Sequence, residues 1–272
     1  MFAFLSDFFE KNKIDCFAPI SLTDCTVVRP YLLERAGIAD GTAILLAIPY
    51  FTPACADEGR NLSAYAVSRD YHGFFAALFD ELLPLLREKF PHHKFAGFAD
   101  HSPIAEVEAA ARAGLGVIGQ NHLLITEKYS SYVFLGELVT DAKMDCEIHD
   151  IRACEGCGLC QKACPMDEIG TCLSALTQKK GALTADEQAT ILRFGSVWGC
   201  DICQAVCPHT KKAMQSGTIY SPIPYFAENP IAHLTSEILD GMTDEEFKAR
   251  AYAWRGRETI GRNLKLFEGE NV

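Results

Sequence analysis

Eight of the twelve cysteines in this 272-residue chain fall between Cys154 and Cys207. Cys154, Cys157 and Cys160 recur with two residues between them and lead to Cys164-Pro165, while Cys200, Cys203 and Cys207-Pro208 make a second run that is one cysteine short. Three thiols at this interval wrap a chain around one corner of an iron–sulfur cube, and the fourth member of such a run reaches a neighbouring cube. Zinc sites more often use two C-x-x-C pairs set well apart. Structural zinc or a redox dithiol is the alternative, but no histidine stands at ligand spacing here. Cys172, between the runs, is the natural eighth ligand. Crossing the fourth cysteines assigns Cys154, Cys157, Cys160 and Cys207 to one [4Fe–4S] cluster and Cys164, Cys172, Cys200 and Cys203 to the other. Cys16, Cys25, Cys55 and Cys146 lack any such spacing and read as free, buried thiols.

Two adjacent clusters carry single electrons, and the rest of the chain must present an acceptor to them. Phe2–Lys11 reads as a helix and 31–36 as a second, short one. Residues 43–49 have the length and Ile/Leu content of a buried strand. Phe74, Leu78, Leu82 and Leu86 recur with acids between them, so 71–90 should be an amphipathic helix. Residues 94–100 are a further strand candidate. Ser102-Pro103 followed by Glu106 resembles a helix start, and that helix should run to about Ala113, where Gly114, Gly116 and Gly119 break it. Residues 122–126 and 132–140 look like paired strands. This alternation predicts an α/β domain with a partly open sheet over residues 1–145. Residues 146–215 have little periodicity, so cluster bonds should supply much of their folding energy. Residues 216–272 form a C-terminal helical extension, with a helical pattern over 234–267.

The composition allows a packed core, at 49% hydrophobic and 10% aromatic residues. No apolar run approaches the roughly 18 to 20 residues that cross a bilayer. Asp7, Glu10 and Lys11 interrupt the first apolar stretch, unlike a secretion leader. Clustered rather than paired cysteines point to metal in a reducing cytoplasm.

Read in order, these pieces resemble the epoxyqueuosine reductase family. The resemblance is carried by Tyr65-Ala66 with Asp70-Tyr71-His72, by Ala99-Asp100-His101-Ser102-Pro103, and by the segment from Arg112 to Asn121. It continues through Ser131 to Glu137, the first cysteine run, Cys172-Leu173-Ser174 and Thr177 to Gly181. Trp198 to Pro208 and Arg255-Gly256-Arg257 with Gly261-Arg262-Asn263 complete it. It implies a cobalamin-binding α/β domain followed by a ferredoxin-like domain with two [4Fe–4S] clusters. In the implied reaction, an external low-potential donor feeds the clusters, the clusters reduce cobalamin, and an epoxide on a tRNA anticodon-loop nucleoside becomes an alkene. Asp100 matches the family's acid; at the end of a buried strand, flanked by apolar Phe98 and Ala99, it would have its pKa raised by desolvation. Read without the family, Asp100 would cap the helix after Pro103. Ser63 matches a position near the cobalt face, Leu124 and Leu135 match backbone contacts to the corrin, and Ser174 and Asp201 match positions at its edge. For the leucines, plain core packing is the alternative. Tyr71 and His72 match positions that shape the substrate pocket, with a structural role as the alternative.

The chain departs from the family's pattern at Val117 and Gln120, where an aromatic and a lysine are usual, and in the short Cys164–Cys172 interval. It also shows no helical repeats before Val272, as in a short form. Its net charge of −11 is unusual for a tRNA partner, since a polyanion needs a basic footprint. Residues 151–215 carry seven Lys plus Arg and six acids, a net of +1, so the remainder carries −12. Lys179, Lys180, Lys211, Lys212, Arg255, Arg257 and Arg262 are the candidate phosphate contacts, with a solvated face as the alternative. Two other functional readings stay open. One is a corrinoid iron–sulfur reductase acting on a small molecule or a protein partner; the other is a non-catalytic electron-transfer protein.

Overall fold

The computed structural model describes residues 1–166 and 170–269. Part of the short interval between Cys164 and Cys172, and the last three residues of the C-terminal extension, lie outside the described residues. The chain forms two compact units, each drawn from three stretches. The first comprises Met1–Pro49, Tyr71–Gly158 and Pro208–Ile223; the second comprises Tyr50–Asp70, Leu159–Cys207 and the chain from Pro224 onward.

The first unit is built on strands β1 (Phe17–Ser21), β2 (Thr42–Pro49) and β3 (Phe95–Phe98), a short β4 (Val117–Ile118) and β5 (Leu124–Ile125), and β6 (Val133–Thr140). The main sheet has the order β1-β2-β6-β3, and β4 pairs with β5 apart from it. Every residue of β2 is buried, as an inner strand covered on both faces requires, which explains its unbroken apolar run. The helix Tyr71–Lys89 packs against β3 and buries Phe74, Phe75, Leu78, Phe79, Leu82 and Leu86. Gly97 admits that helix: a Cβ there would lie 2.4 Å from Cγ of Phe79.

Strands alternate with helices as anticipated, yet all three pairings in the main sheet are antiparallel, so the unit is a mixed α and β fold rather than a parallel one. β1 is absent from the sequence reading because Pro19 argues against a strand. It forms the sheet edge, where a missing N–H costs nothing. The pairing anticipated between 122–126 and 132–140 does not form. Thr126 instead takes the Ser130 carbonyl through both its amide (3.0 Å) and its hydroxyl (3.1 Å), closing a tight loop. That loop frees β6 to pair with β2 and β3, where its second half, from Gly136 to Thr140, is buried between them.

In the second unit, short helices surround an apolar cluster of Leu173, Leu176, Leu183, Ile191 and Leu266. Thr184 and Glu187 form a reciprocal capping box at the start of the helix Ala185–Phe194. The helical pattern over 234–267 resolves into Ser236–Gly241, Asp244–Lys248 and Arg257–Glu268. Among the described residues, no helix is long and apolar enough to cross a membrane.

Candidate active site and cluster-binding cysteines

Cys154 and Cys157 belong to the first unit and the other six candidate ligands to the second. The glycine-rich segment around β4 holds the start of the first run: Ile118 donates its N–H to the Arg152 carbonyl (2.9 Å), and Cys154 donates to the Ile118 carbonyl (3.0 Å). Gly156 and Gly158 sit at φ +66° and +72°, left-handed turns on either side of Cys157 that bend the chain as a cluster corner demands. Gln120, read from sequence as a lost basic contact, has a role of its own, since its Oε1 accepts the Gly158 N–H at 3.2 Å.

In the second unit, Cys160 lies on the helix Leu159–Ala163, which packs against the helix Ile202–Ala205 bearing Cys203. Burial pushes the Cys200 thiol up to about 11, and Asp201, Cys203 and Cys172 add to that shift, so Cys172 and Cys203 stand within electrostatic reach of Cys200. Among the described residues, no three His, Cys, Asp or Glu side chains converge as the ligands of a single ion would. The donor set itself, thiols in two runs without a histidine at ligand spacing, suits a cluster better than zinc. Of the four cysteines outside the runs, Cys55 is buried and Cys16, Cys25 and Cys146 are half-buried. Burial pushes both Cys16 and Cys25 to about 12, which keeps those thiols protonated and poor as ligands.

Three of the expected corrin contacts, Ser63, Ser174 and Asp201, share one hydrogen-bonded network in the second unit. The Asp201 carboxylate accepts from Ser63 Oγ (2.5 Å), Arg60 Nη1 (2.6 Å) and the Ala64 N–H (2.7 Å). Ser63 donates its own N–H to the Trp198 carbonyl, and Trp198 Nε1 donates to Tyr65 Oη at 2.7 Å. Gly199, at φ +77°, leaves no space for a side chain, because a Cβ would fall 2.4 Å from Ser63 Cβ. Gln178 donates to Ser174 Oγ at 3.0 Å. Asn263, fully buried, donates to the carbonyls of Thr177 (2.7 Å) and Val197 (2.8 Å). The roles of Arg60, Asn263 and Gln120 are not legible in the sequence, because none of the three belongs to a chemically reactive pattern.

Leu124 and Leu135 lie in the first unit. Leu124 is buried in β5 within the main apolar core. Leu135 is half-buried on β6 and pairs with Ala47 of β2. β3 reaches only Glu137–Thr140 of β6, so no strand among the described residues covers the other edge of β6 at Leu135.

Asp100 departs from its expected surroundings. Its side chain is 70% exposed rather than buried as its apolar neighbours implied. Nor does it cap the following helix, Glu106–Arg112, whose N-cap is Ala105. Asp100 sits just past β3 at φ +64°, a conformation that L residues rarely adopt, and His72 Nε2 stands 3.7 Å from its Oδ2. The Tyr71 ring stacks on Phe134 (4.2 Å, 13°), and His101 Nε2 is hydrogen-bonded to Tyr31 Oη at 2.7 Å. Beneath the turn, the Asp100 N–H is held by the Glu106 carboxylate.

Three of the seven candidate phosphate contacts are engaged by groups of the protein itself. Arg262 is buried and donates to Asn263 Oδ1 and to the Lys179 and Gly181 carbonyls. Arg257 donates to the carbonyls of Leu239, Met242 and Thr243, and Lys179 pairs with Glu187 at 2.7 Å. These bonds take three of the five N–H donors of Arg257 and four of those of Arg262, which leaves each guanidinium little to offer a phosphate. Lys180 and Arg255 line two shared surface depressions, with Arg255 stacked 3.8 Å over Trp254. Lys211 and Lys212 are exposed in the first unit.

No protein-family model matches the chain. It is 32% identical over 206 residues to epoxyqueuosine reductase of Listeria monocytogenes, a match covering 71% of this chain and 53% of that protein. The corresponding Synechocystis protein is 32% identical over 222 residues, 77% of each chain, and that of Cyclobacterium marinum 32% over 249 residues, 84% of this chain and 76% of the relative. The chain thus spans little more than half of the Listeria relative. In fold it is similar to epoxyqueuosine reductase from Streptococcus thermophilus, with a TM-score of 0.77 and 21% identity over 98% of this chain and 80% of the other. It is also similar to an epoxyqueuosine reductase crystallised with an epoxyqueuosine-modified tRNA-Tyr stem loop, with a TM-score of 0.69 and 23% identity over 97% and 80%. By the identity and coverage of the Synechocystis and Cyclobacterium proteins, the chain belongs to the epoxyqueuosine reductase family.

Proposed function

We propose that this protein reduces the epoxide of epoxyqueuosine in tRNA to the alkene of queuosine, with electrons passing from two [4Fe–4S] clusters to cobalamin. The observation that carries this reading is the Asp100 turn. In a chain of this family, an exposed carboxyl held at φ +64° beside His72 is placed to deliver a proton to an oxygen that must leave. Two electrons and two protons convert the epoxide to alkene and water, and bound cobalamin would supply the electrons at low potential. Asp100 delivers one proton to the epoxide oxygen and His72 stabilises its charge, while the stacked Tyr71 and Phe134 wall the pocket.

Cys154, Cys157, Cys160 and Cys207 are assigned to one cluster and Cys164, Cys172, Cys200 and Cys203 to the other, with an external low-potential donor in the cytoplasm. The open β6 edge at Leu135 fits a corrin held through backbone groups, with Leu124 as the second such position. Ser174, half-buried, would meet the corrin edge through a hydroxyl that also accepts from Gln178. Ser63 and Asp201, whose side-chain oxygens are bonded to one another and, for Asp201, to Arg60, would support the second unit's contacts to the corrin edge. In chain order we assign 1–145 to the cobalamin and substrate domain, 146–215 to the ferredoxin-like domain and 216–272 to the helical extension. Lys180, Arg255, Lys211 and Lys212 remain as contacts for the anticodon-loop phosphates.

The internal commitment of Arg257, Arg262 and Lys179, together with the −11 charge, favours a second substrate class, a small molecule or a protein-bound corrinoid. The deciding experiment is anaerobic reconstitution with iron, sulfide and cobalamin, followed by assay on tRNA bearing epoxyqueuosine. Queuosine should form, and Asp100→Ala should abolish turnover with cluster content and corrin binding intact. No queuosine from the loaded protein would overturn the tRNA reading, and normal turnover by Asp100→Ala would remove Asp100 from the mechanism.

A further inference from the structure

Two carboxyl groups lie buried beneath the Asp100 turn. Glu137, fully buried on β6, stands across the ladder from Phe98, the last residue of β3 before the turn. Glu106 opens the helix that follows it. Their side chains are hydrogen-bonded to each other, which two carboxylates can do only if one of them keeps a proton. Glu106 also accepts the Asp100 N–H, and Ser102 Oγ donates to Glu137 Oε1 at 2.5 Å. Glu106 Oε1 and Glu137 Oε2 are buried and find no N–H or other hydroxyl donor among the described residues. Each end of the 100–102 turn is therefore tied to one member of the pair.

We propose that Glu106 and Glu137 share a single proton in mildly alkaline solution and, as positioning residues, hold Asp100 in its left-handed conformation beside His72. This rests on the reading of Asp100 as the proton donor. Burial and the mutual repulsion of the two groups drive both upward: Glu106 to about 7, with Asp100 adding to the shift, and Glu137 well above the ordinary carboxylate range. The facing groups do not cancel this. Arg29 is the cation that Glu106 feels, and its guanidinium also donates to the Ser102 carbonyl at 2.9 Å. Cys25, near Glu137 on the other side, is pushed by burial to about 12 and stays neutral. At pH 8, Glu137 keeps the proton and donates it to the Glu106 carboxylate, leaving Glu106 a strong acceptor for the Asp100 amide. When Glu137 ionises, two adjacent buried anions repel and the turn is released.

The test uses the cluster-loaded protein without tRNA. Infrared spectroscopy at pH 8 should show an un-ionised carboxylic acid that is absent in Glu137→Gln. Exchange of the Asp100 amide, corrected for base catalysis, should accelerate about tenfold per pH unit once Glu137 begins to ionise. In Glu137→Gln that alkaline limb should vanish, because a permanent amide donor replaces the shared proton, and turnover should be kept. Glu137→Ala should lose amide protection at every pH and lower kcat with little change in KM. The proposal fails if no un-ionised acid survives at pH 8 or if Glu137→Gln keeps the parent's alkaline limb. Success of the spectroscopic and exchange arms without queuosine formation would sink the proposed reaction and leave the pair standing.

Discussion

Replacing Asp201 by alanine separates two accounts of that residue, a direct corrin contact and the centre of an internal network. Its side chain is 5% exposed and accepts from Arg60, Ser63 and the Ala64 N–H at 2.5 to 2.7 Å. Removing one partner of a buried ion pair costs about 3 to 5 kcal/mol, and a hydrogen bond to a charged group contributes about 1.5 to 3 kcal/mol. Arg60 is 21% exposed and keeps the Leu62 carbonyl at 2.6 Å, so water recovers part of the loss. The lower end of the range, about 3 kcal/mol, is therefore expected. In a chain of this size that lowers Tm by about 6 to 12 °C. Asp201→Asn should cost about half as much, since its carbonyl oxygen can still serve Ser63 while its amide faces the Arg60 guanidinium.

The assay is thermal and urea unfolding of the cluster-loaded protein with no cobalamin added, alongside iron content, because Asp201 lies between Cys200 and Cys203. A variant within about 0.5 kcal/mol of the parent, the ordinary range for surface substitutions, that nevertheless fails to bind cobalamin would refute the network account and return Asp201 to the corrin.

Two further outcomes follow from the charges. Burial, with Asp100 adding to it, lifts Glu106 from 4.5 to about 7, so its folded-state pKa lies above its unfolded one. Its contribution is complete below about pH 4.5 and is lost as pH rises through about 7, a swing of about 3 kcal/mol. Asp40 and Asp141, held low by Lys143 and by His93 with the Lys94 amide, run the opposite way in the parent. Glu106→Gln removes only the first effect, so urea midpoints at pH 5 and pH 8 should show the variant gaining on the parent; a gap independent of pH would count against the buried pair. For RNA, Lys180→Ala with Arg255→Ala should flatten the dependence of log affinity on log salt by about 1.5 for an anticodon stem loop. An unchanged slope would take those two cations off the RNA path.

What the sequence disclosed depended on how local the cause was. The buried β2 run and the helix Tyr71–Lys89 are set within a few residues, and the structure has each element where the pattern implied. β1 was hidden because Pro19 is tolerated only at an edge, and which strand becomes an edge is decided by distant partners. The mispaired 122–126 and 132–140 segments failed for a related reason. Periodicity shows that a segment will pair but not with what, and the Thr126–Ser130 loop turned β6 toward β2 and β3. Asp100 looked buried because its neighbours are apolar, whereas its positive φ turns the side chain outward.

The same distinction explains the basic residues that match the family yet leave phosphate uncontacted. Arg262 reads in sequence as free positive charge; in the fold it joins Asn263 to the Lys179 and Gly181 carbonyls, beside the Thr177 and Val197 carbonyls held by Asn263. Those ties hold together the segments that follow Cys172 and precede Cys200 in the chain. Gln120 shows the converse. At a position where a lysine would supply charge and no acceptor, its amide oxygen takes the Gly158 N–H inside the first cysteine loop, a bond no lysine could make. Net charge therefore misjudges this surface in both directions, because several cations act as internal hydrogen-bond donors and one apparent loss of charge is the gain of an acceptor. The electrostatic footprint open to RNA reduces to Lys180 and Arg255 in the second unit and Lys211 and Lys212 in the first, and substitutions at those four positions bear on the substrate in a way that the total of −11 does not.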